Sequence, residues 1–248
     1  AGPVLAAETL TTTAQLIAIG DLLTPPENQG FGLPGETVVY THTLRNVRSV
    51  ADTFVFSALV PLGYEVTLPP ATFLSPGEER EVSVSIRIPG GVFSNTVDAM
   101  RLSVQSVSDP NVAADAREYT TIHQVVSAVM SPEYVRVVQA GDQVQVTHQL
   151  LNTGNTTDTF VLTFTQTLPW NVVLQPSLRT LGPNQQAPFI TLDVSVPANA
   201  LPGSVNRIRV RAQSQSDPTK VFEVENLFVI PVALPQVTYE VYLPLVKR

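Results

Sequence analysis

The sequence predicts an all-β protein: two tandem β-sandwiches flanked by extended, strand-like termini. Three observations predict it. The chain repeats itself once over most of its length, apolar side chains recur at every second position, and turn residues punctuate the intervals between these runs. Alternation with period two places successive side chains on opposite faces of a strand, which is how a half-buried β-strand reads.

The repeat carries the domain organisation. Gly35-Glu36-Thr37-Val38-Val39-Tyr40-Thr41-His42 aligns with Gly141-Asp142-Gln143-Val144-Gln145-Val146-Thr147-His148 at an offset of 106 residues. The same offset places Asn46 on Asn152, Asp52-Thr53-Phe54-Val55 on Asp158-Thr159-Phe160-Val161, and Tyr64 on Trp170. Two inserted residues then shift the offset to 108, where Ile86-Arg87-Ile88-Pro89 meets Val194-Ser195-Val196-Pro197. At that offset Ser106-Val107-Ser108-Asp109-Pro110 meets Ser214-Gln215-Ser216-Asp217-Pro218. Ordered matches at two nearly equal offsets are the mark of a duplicated domain.

The elements follow in chain order. Residues 1–20 form an N-terminal tail in which Thr11 to Ile19 has strand character, with Leu16, Ile17 and Ile19 as its apolar members. Residues 21–126 form the first sandwich, with strand patterns such as Phe54-x-Phe56, Val82-x-Val84-x-Ile86-x-Ile88 and Leu102-x-Val104. Residues 127–232 form the second, with Phe160-x-Leu162-x-Phe164, Leu192-x-Val194-x-Val196 and Ile208-x-Val210-x-Ala212. Turns separate them at Ser75-Pro76-Gly77, Pro89-Gly90-Gly91, Asp109-Pro110-Asn111, Asn152-Thr153-Gly154-Asn155 and Gly182-Pro183-Asn184, sequences that favour tight reversal. Short strands at this spacing predict about seven strands per copy. Residues 233–248 form a C-terminal tail whose alternation is regular: Val237, Tyr239, Val241, Leu243 and Leu245 share one face. Sixteen extended residues reach about 50 Å, enough to leave the parent domain and pair with another chain.

Composition excludes whole classes of function. Cysteine is absent, which removes disulfides, cysteine–zinc sites, iron–sulfur clusters and thiol catalysis. The net charge of −7 opposes binding to phosphate backbones, so no nucleic-acid partner is expected. No apolar run reaches the ~18 residues of a membrane helix. Arg207, Arg209 and Arg211 alternate along one strand and read as a solvated face.

The individual motifs read as structural. Gly30-Phe31-Gly32-Leu33-Pro34-Gly35 matches the dinucleotide fingerprint in letters, but a strand follows it and Pro34 removes a phosphate-binding N–H. His42 and His148 occupy equivalent positions and read as strand-surface residues rather than metal ligands. The identical recurrence of Asp52 and Asp158 argues for a turn role. No nucleophile elbow, carboxylate pair in a recognisable context, or calcium-loop spacing is present, so no enzyme activity and no cofactor or metal are expected. Trp170 and Tyr64 are the candidate ligand platform for a glycan, against the simpler reading that both pack in the core. Asn155-Thr156-Thr157 is a glycosylation sequon.

The run of Gly35-Glu36, Leu44-x-Asn46, Asp52-Thr53-Phe54, the aromatic at 64 or 170, and Ser-x-Ser-Asp-Pro resembles the bacterial and archaeal immunoglobulin-like modules of the NEW3 and CARDB kind. The second copy fits best, through Asn152-Thr153-Gly154-Asn155 and Trp170. The first departs, with Val47-Arg48-Ser49 in place of a glycine-containing turn. The resemblance implies two immunoglobulin-like sandwiches and a secreted or cell-surface location in a bacterium or archaeon; it implies no catalytic residues. Ala1 to Ala7 reads as a terminus left by signal cleavage.

The functional expectation is a structural subunit of an extracellular filament or surface coat. It polymerises head to tail with itself by inserting a terminal strand into a neighbouring subunit, with Val237, Tyr239, Val241, Leu243, Leu245, Leu16, Ile17 and Ile19 as donor-strand candidates. The alternative is a non-catalytic adhesion, glycan-binding or spacer module of a larger secreted protein.

Overall fold

The computed structural model describes residues 22–232, and every regular element in them is a strand. The first unit holds β1 (Leu23–Thr24), β2 (Glu27–Gly32), β3 (Thr37–Arg45), β4 (Asp52–Leu59), β5 (Glu65–Thr67), β6 (Thr72–Leu74), β7 (Glu79–Arg87), β8 (Val97–Ser106) and β9 (Ala113–Ile122). The second holds β10 (Ala128–Ser131), β11 (Tyr134–Val137), β12 (Gln143–Asn152), β13 (Asp158–Gln166), β14 (Asn171–Gln175), β15 (Leu178–Leu181), β16 (Gln186–Ser195), β17 (Val205–Ser214) and β18 (Val221–Val229).

Each unit is an immunoglobulin-like sandwich of two sheets. In the first the orders are β1-β3-β7-β5 and β2-β9-β8-β4-β6; in the second they are β10-β12-β16-β14 and β11-β18-β17-β13-β15. The two copies therefore share one topology, element for element. Each has nine strands rather than the seven or so that turn spacing suggests. The first strand of each copy is broken at a proline, Pro25 or Pro132, and changes sheets there, because proline cannot donate to a ladder. The segment between β4 and β7, like that between β13 and β16, also gives one short strand to each sheet.

The alternating residues fill two separate cores. Phe54, Leu44, Val84, Ile86 and Leu102 are fully buried in the first, as are Phe160, Leu150, Leu192, Ile208 and Val210 in the second. The compact units meet between His123 and Gln124. Residues 124–126 bond to the second unit: Val125 N–H donates to Asn155 Oδ1 at 2.7 Å, and Asn155 N–H returns a bond to Val125 O at 3.1 Å.

Candidate functional site

The residues repeated in both copies form one cluster per unit. Asn46 Nδ2 donates to the carbonyls of Val50 and Leu74 at 2.9 and 3.0 Å, and its Oδ1 accepts from Arg48 N–H at 3.0 Å. Asn152 repeats this with Thr156 O, Leu181 O and Gly154 N–H, each at 2.9 Å. Asp52 and Asp158 open β4 and β13 and are buried. Asp158 accepts from Ser214 Oγ at 2.5 Å and Ser216 Oγ at 2.8 Å; Asp52 accepts from Ser106 Oγ, and from Ser108 Oγ at 2.8 Å. The two sequence motifs Asp-Thr-Phe and Ser-x-Ser-Asp-Pro are thus two halves of one hydrogen-bonded pin between neighbouring strands. Asp52 gains Arg48 Nη1 at 2.6 Å and its neighbour Thr53 N–H at 2.7 Å. Burial pushes its carboxyl up, but the bonds from Ser106, Arg48, Ser108 and Thr53 outweigh burial and hold it well below the usual carboxylate range.

The histidines correct the surface reading. His42 and His148 are buried, because their strand positions face inward toward the opposite sheet. Each Nδ1–H donates to a proline carbonyl where the first strand changes sheets, Pro25 O at 3.0 Å and Pro132 O at 2.9 Å. Their Nε2 atoms meet different partners: Glu118 Oε1 at 2.9 Å in the first unit and Asn226 Nδ2 at 3.3 Å in the second. Burial lowers the pKa of His148. The copies differ in the same sense at Asp98, whose equivalent is Asn206. Asp98 Oδ1 accepts from Leu62 N–H at 3.1 Å, its Oδ2 has no partner among the described residues, and burial raises its pKa.

Trp170 and Tyr64 do not form a platform. They lie in different units and pack in separate cores at 6% and 8% exposure, so neither ring presents an open face. Trp170 is among the residues that line an open cleft of about 330 Å³, together with Leu168, Pro197, Asn199, Leu201 and Ser204. Asn155 of the sequon is only 5% exposed and bonded to Val125, so its amide is not offered for glycosylation. Gly30 and Gly32 lie in β2, where a Cβ on Gly30 would stand 2.7 Å from the Tyr40 hydroxyl; close packing is their role. The arginine row is solvated and ion-paired, Arg209 to Glu225 at 3.0 Å and Arg211 to Glu223 at 2.7 Å. Among the described residues no group of three or more His, Asp or Glu is placed to hold a metal ion.

The least conventional surface is the edge strand β11, which among the described residues pairs with β18 on one side only. Val135 and Val137 on it are 69% and 73% exposed. Across the sheet Val135 opposes Leu227, and Val137 opposes Val229, which opposes Val205. The guanidinium of Arg136 stacks over the Tyr134 ring at 4.8 Å and has no ion-pair partner among the described residues. The donor-strand candidates Leu16, Ile17, Ile19, Val237, Tyr239, Val241, Leu243 and Leu245 lie outside the described residues.

No family model and no curated protein matches this chain. Solved structures do. A protein of unknown function from Porphyromonas gingivalis W83 is 13% identical, over 84% of this chain and 98% of that one, at a TM-score of 0.32. The E. coli chaperone DraB is 12% identical, over 82% and 95%, at 0.32. The CsuC–CsuE chaperone–tip adhesion subunit pre-assembly complex of Acinetobacter baumannii is 11% identical, over 84% and 98%, at 0.32.

Proposed function

We propose that this chain is a non-catalytic structural subunit of an extracellular filament or surface coat, exported by a bacterium or archaeon and joined head to tail through a terminal β-strand. One observation carries the reading. Each sandwich already has nine strands in two sheets within residues 22–232, and the alternating pattern of Val237 to Leu245 follows them in the sequence. A strand with one apolar face is unstable alone in water and gains its backbone hydrogen bonds only from a sheet. Head-to-tail contacts of this kind that do not close produce filaments. Because each sandwich already holds both of its sheets, the donated strand joins a sheet edge instead of filling a gap in a core. The recurring polar residues are engaged in fixing turns and sheet crossings, which supports a scaffold over a catalyst.

The test is electron microscopy of the intact chain and of a variant lacking residues 233–248. Fibres from the first, dispersed particles from the second, and unchanged Trp170 fluorescence in both are expected. Fibres formed equally well by the shortened chain, or none from the intact one, would overturn the reading.

The Trp170 cleft favours a second reading, an adhesion or glycan-binding module of a larger surface protein. Asn199 and Ser204 bring polar groups to a lining that is otherwise apolar, with Leu168, Trp170 and Leu201. Under that reading Asn199→Ala and Leu201→Arg abolish binding on a glycan array, and the loss of 233–248 has no effect.

A further inference from the structure

We infer that the acceptor for the C-terminal strand is the free edge of β11 in a neighbouring copy, and that its occupant is the segment from Val237 to Leu245. This rests on the reading that the tail is shared between copies.

Edge strands of stable monomers are blunted by shortness, charge or proline. Among the edges described here, β1, β5 and β6 have two or three residues, and β2 carries Glu27 and Gln29 on the face where β11 carries Val135, with one exposed large apolar side chain, Phe31. In the second unit β10, β14 and β15 each present one exposed large apolar side chain, Val129, Val173 and Leu178. β11 presents two within four residues. Its outward residues Val135 and Val137 are exposed and continue into Leu227, Val229 and Val205 on the next two strands, an apolar strip that ends at an edge with no partner strand among the described residues. One further strand with apolar residues at every second position would extend that strip. Val237, Tyr239, Val241, Leu243 and Leu245 supply this periodicity.

The other face of β11 selects by charge. Arg136, held over Tyr134, offers a cation at the edge that has no ion-pair partner among the described residues. Glu240 is the only acid between 233 and 248, and it falls on the tail face opposite the apolar row. A tail whose apolar row lies beside Val135 and Val137 therefore carries Glu240 on the face of Arg136.

The neighbour's β11 is favoured over the chain's own for a local reason. The last strand of the second unit, β18, ends at Val229, close to Val137, since Val138 N–H bonds Val229 O at 2.9 Å. Reaching its own β11 edge would need a reversal within Pro231-Val232-Ala233-Leu234-Pro235-Gln236. That run holds no Gly, Asn or Asp, and its two prolines bias Ile230 and Leu234 toward extended backbone.

The chain has no cysteine, so engineered disulfides report without background. Val135→Cys is mixed under mild oxidation with Tyr239→Cys, Val241→Cys or Leu243→Cys, three positions that cover neighbouring registers. A disulfide-linked dimer is expected in at least one mixture, several-fold above the yield with Gln29→Cys, the equivalent site in the first unit. The companion variant Val135→Lys with Val137→Lys is expected to lose fibres and keep the Trp170 unfolding midpoint. Absence of cross-linking in all three mixtures while fibres still form overturns the acceptor and leaves the filament reading standing. Cross-linking confined to single chains carrying both cysteines, with the mixtures unlinked, overturns sharing between copies. A parent protein that never forms fibres overturns the filament reading itself.

Discussion

Asp52 and Asp98 stand in the same unit and respond to acid in opposite directions. The pKa of Asp52 is depressed, so its stabilisation is complete above the ordinary value of 3.8 and is lost as pH falls toward the folded value. Asp98 is raised by burial, so its protonated form favours the fold, and that contribution is lost as pH rises through the raised value. Linkage then gives two predictions. Asp52→Asn should destabilise the first unit by about 1–3 kcal/mol at pH 7, since it breaks a buried charge-assisted cluster. Asp98→Asn, the residue the second copy already has at Asn206, should stabilise it by about 1 kcal/mol at pH 7 by removing an incompletely partnered buried charge. That gain should disappear below pH 3.8. Denaturant titrations of both variants across this range check the signs. His148 behaves as a third sensor: its pKa is lowered from 6.5, so the second unit should lose stability as pH drops through that value.

At the scale of elements, the turn that precedes β13 holds the start of the second unit. Thr153 and Gly154 N–H groups donate to Ser127 O at 2.9 and 3.0 Å, and a Cβ on Gly154 would stand 2.3 Å from Val125 O. Backbone cannot yield as a side chain does, so Gly154→Ala should cost about 1–3 kcal/mol. Gly182→Ala is the control, because the nearest atom to its Cβ would be 3.6 Å away, and it should change stability by less than about 0.5 kcal/mol. Fluorescence of Trp170, the single tryptophan, reads the second unit alone in both cases. The first unit has Arg48 where Gly154 stands and uses it to bond Asp52. The divergence of the two copies at this turn thus has a physical account.

At the scale of the whole molecule, the two cores share no residue. Calorimetry should therefore resolve two unfolding transitions. Asp158→Ala should shift only the one that coincides with the loss of Trp170 burial. A single transition moved as a unit by that substitution would mean that the modules unfold together.

The duplication, the all-β class and most of the core are legible in the sequence, because period-two alternation and turn residues are local properties written along the chain. Phe54 and Phe160, or Val84 and Leu192, were legible as inward-facing from their neighbours alone. What the sequence could not separate was a strand position facing solvent from one facing the other sheet when the residue is polar. His42 and His148 follow the alternation of buried positions, yet a polar side chain reads as exposed until its partners are known. Those partners are carbonyls 16 or 17 residues away and side chains 76 or 78 residues away. The Asp-to-Ser pins are the same case, with partners more than 50 residues apart. The edge position of β11 among the described strands was likewise invisible, because being an edge is a property of sheet order. Sheet order is fixed by pairings between strands far apart in the chain, and these exist only in the folded molecule.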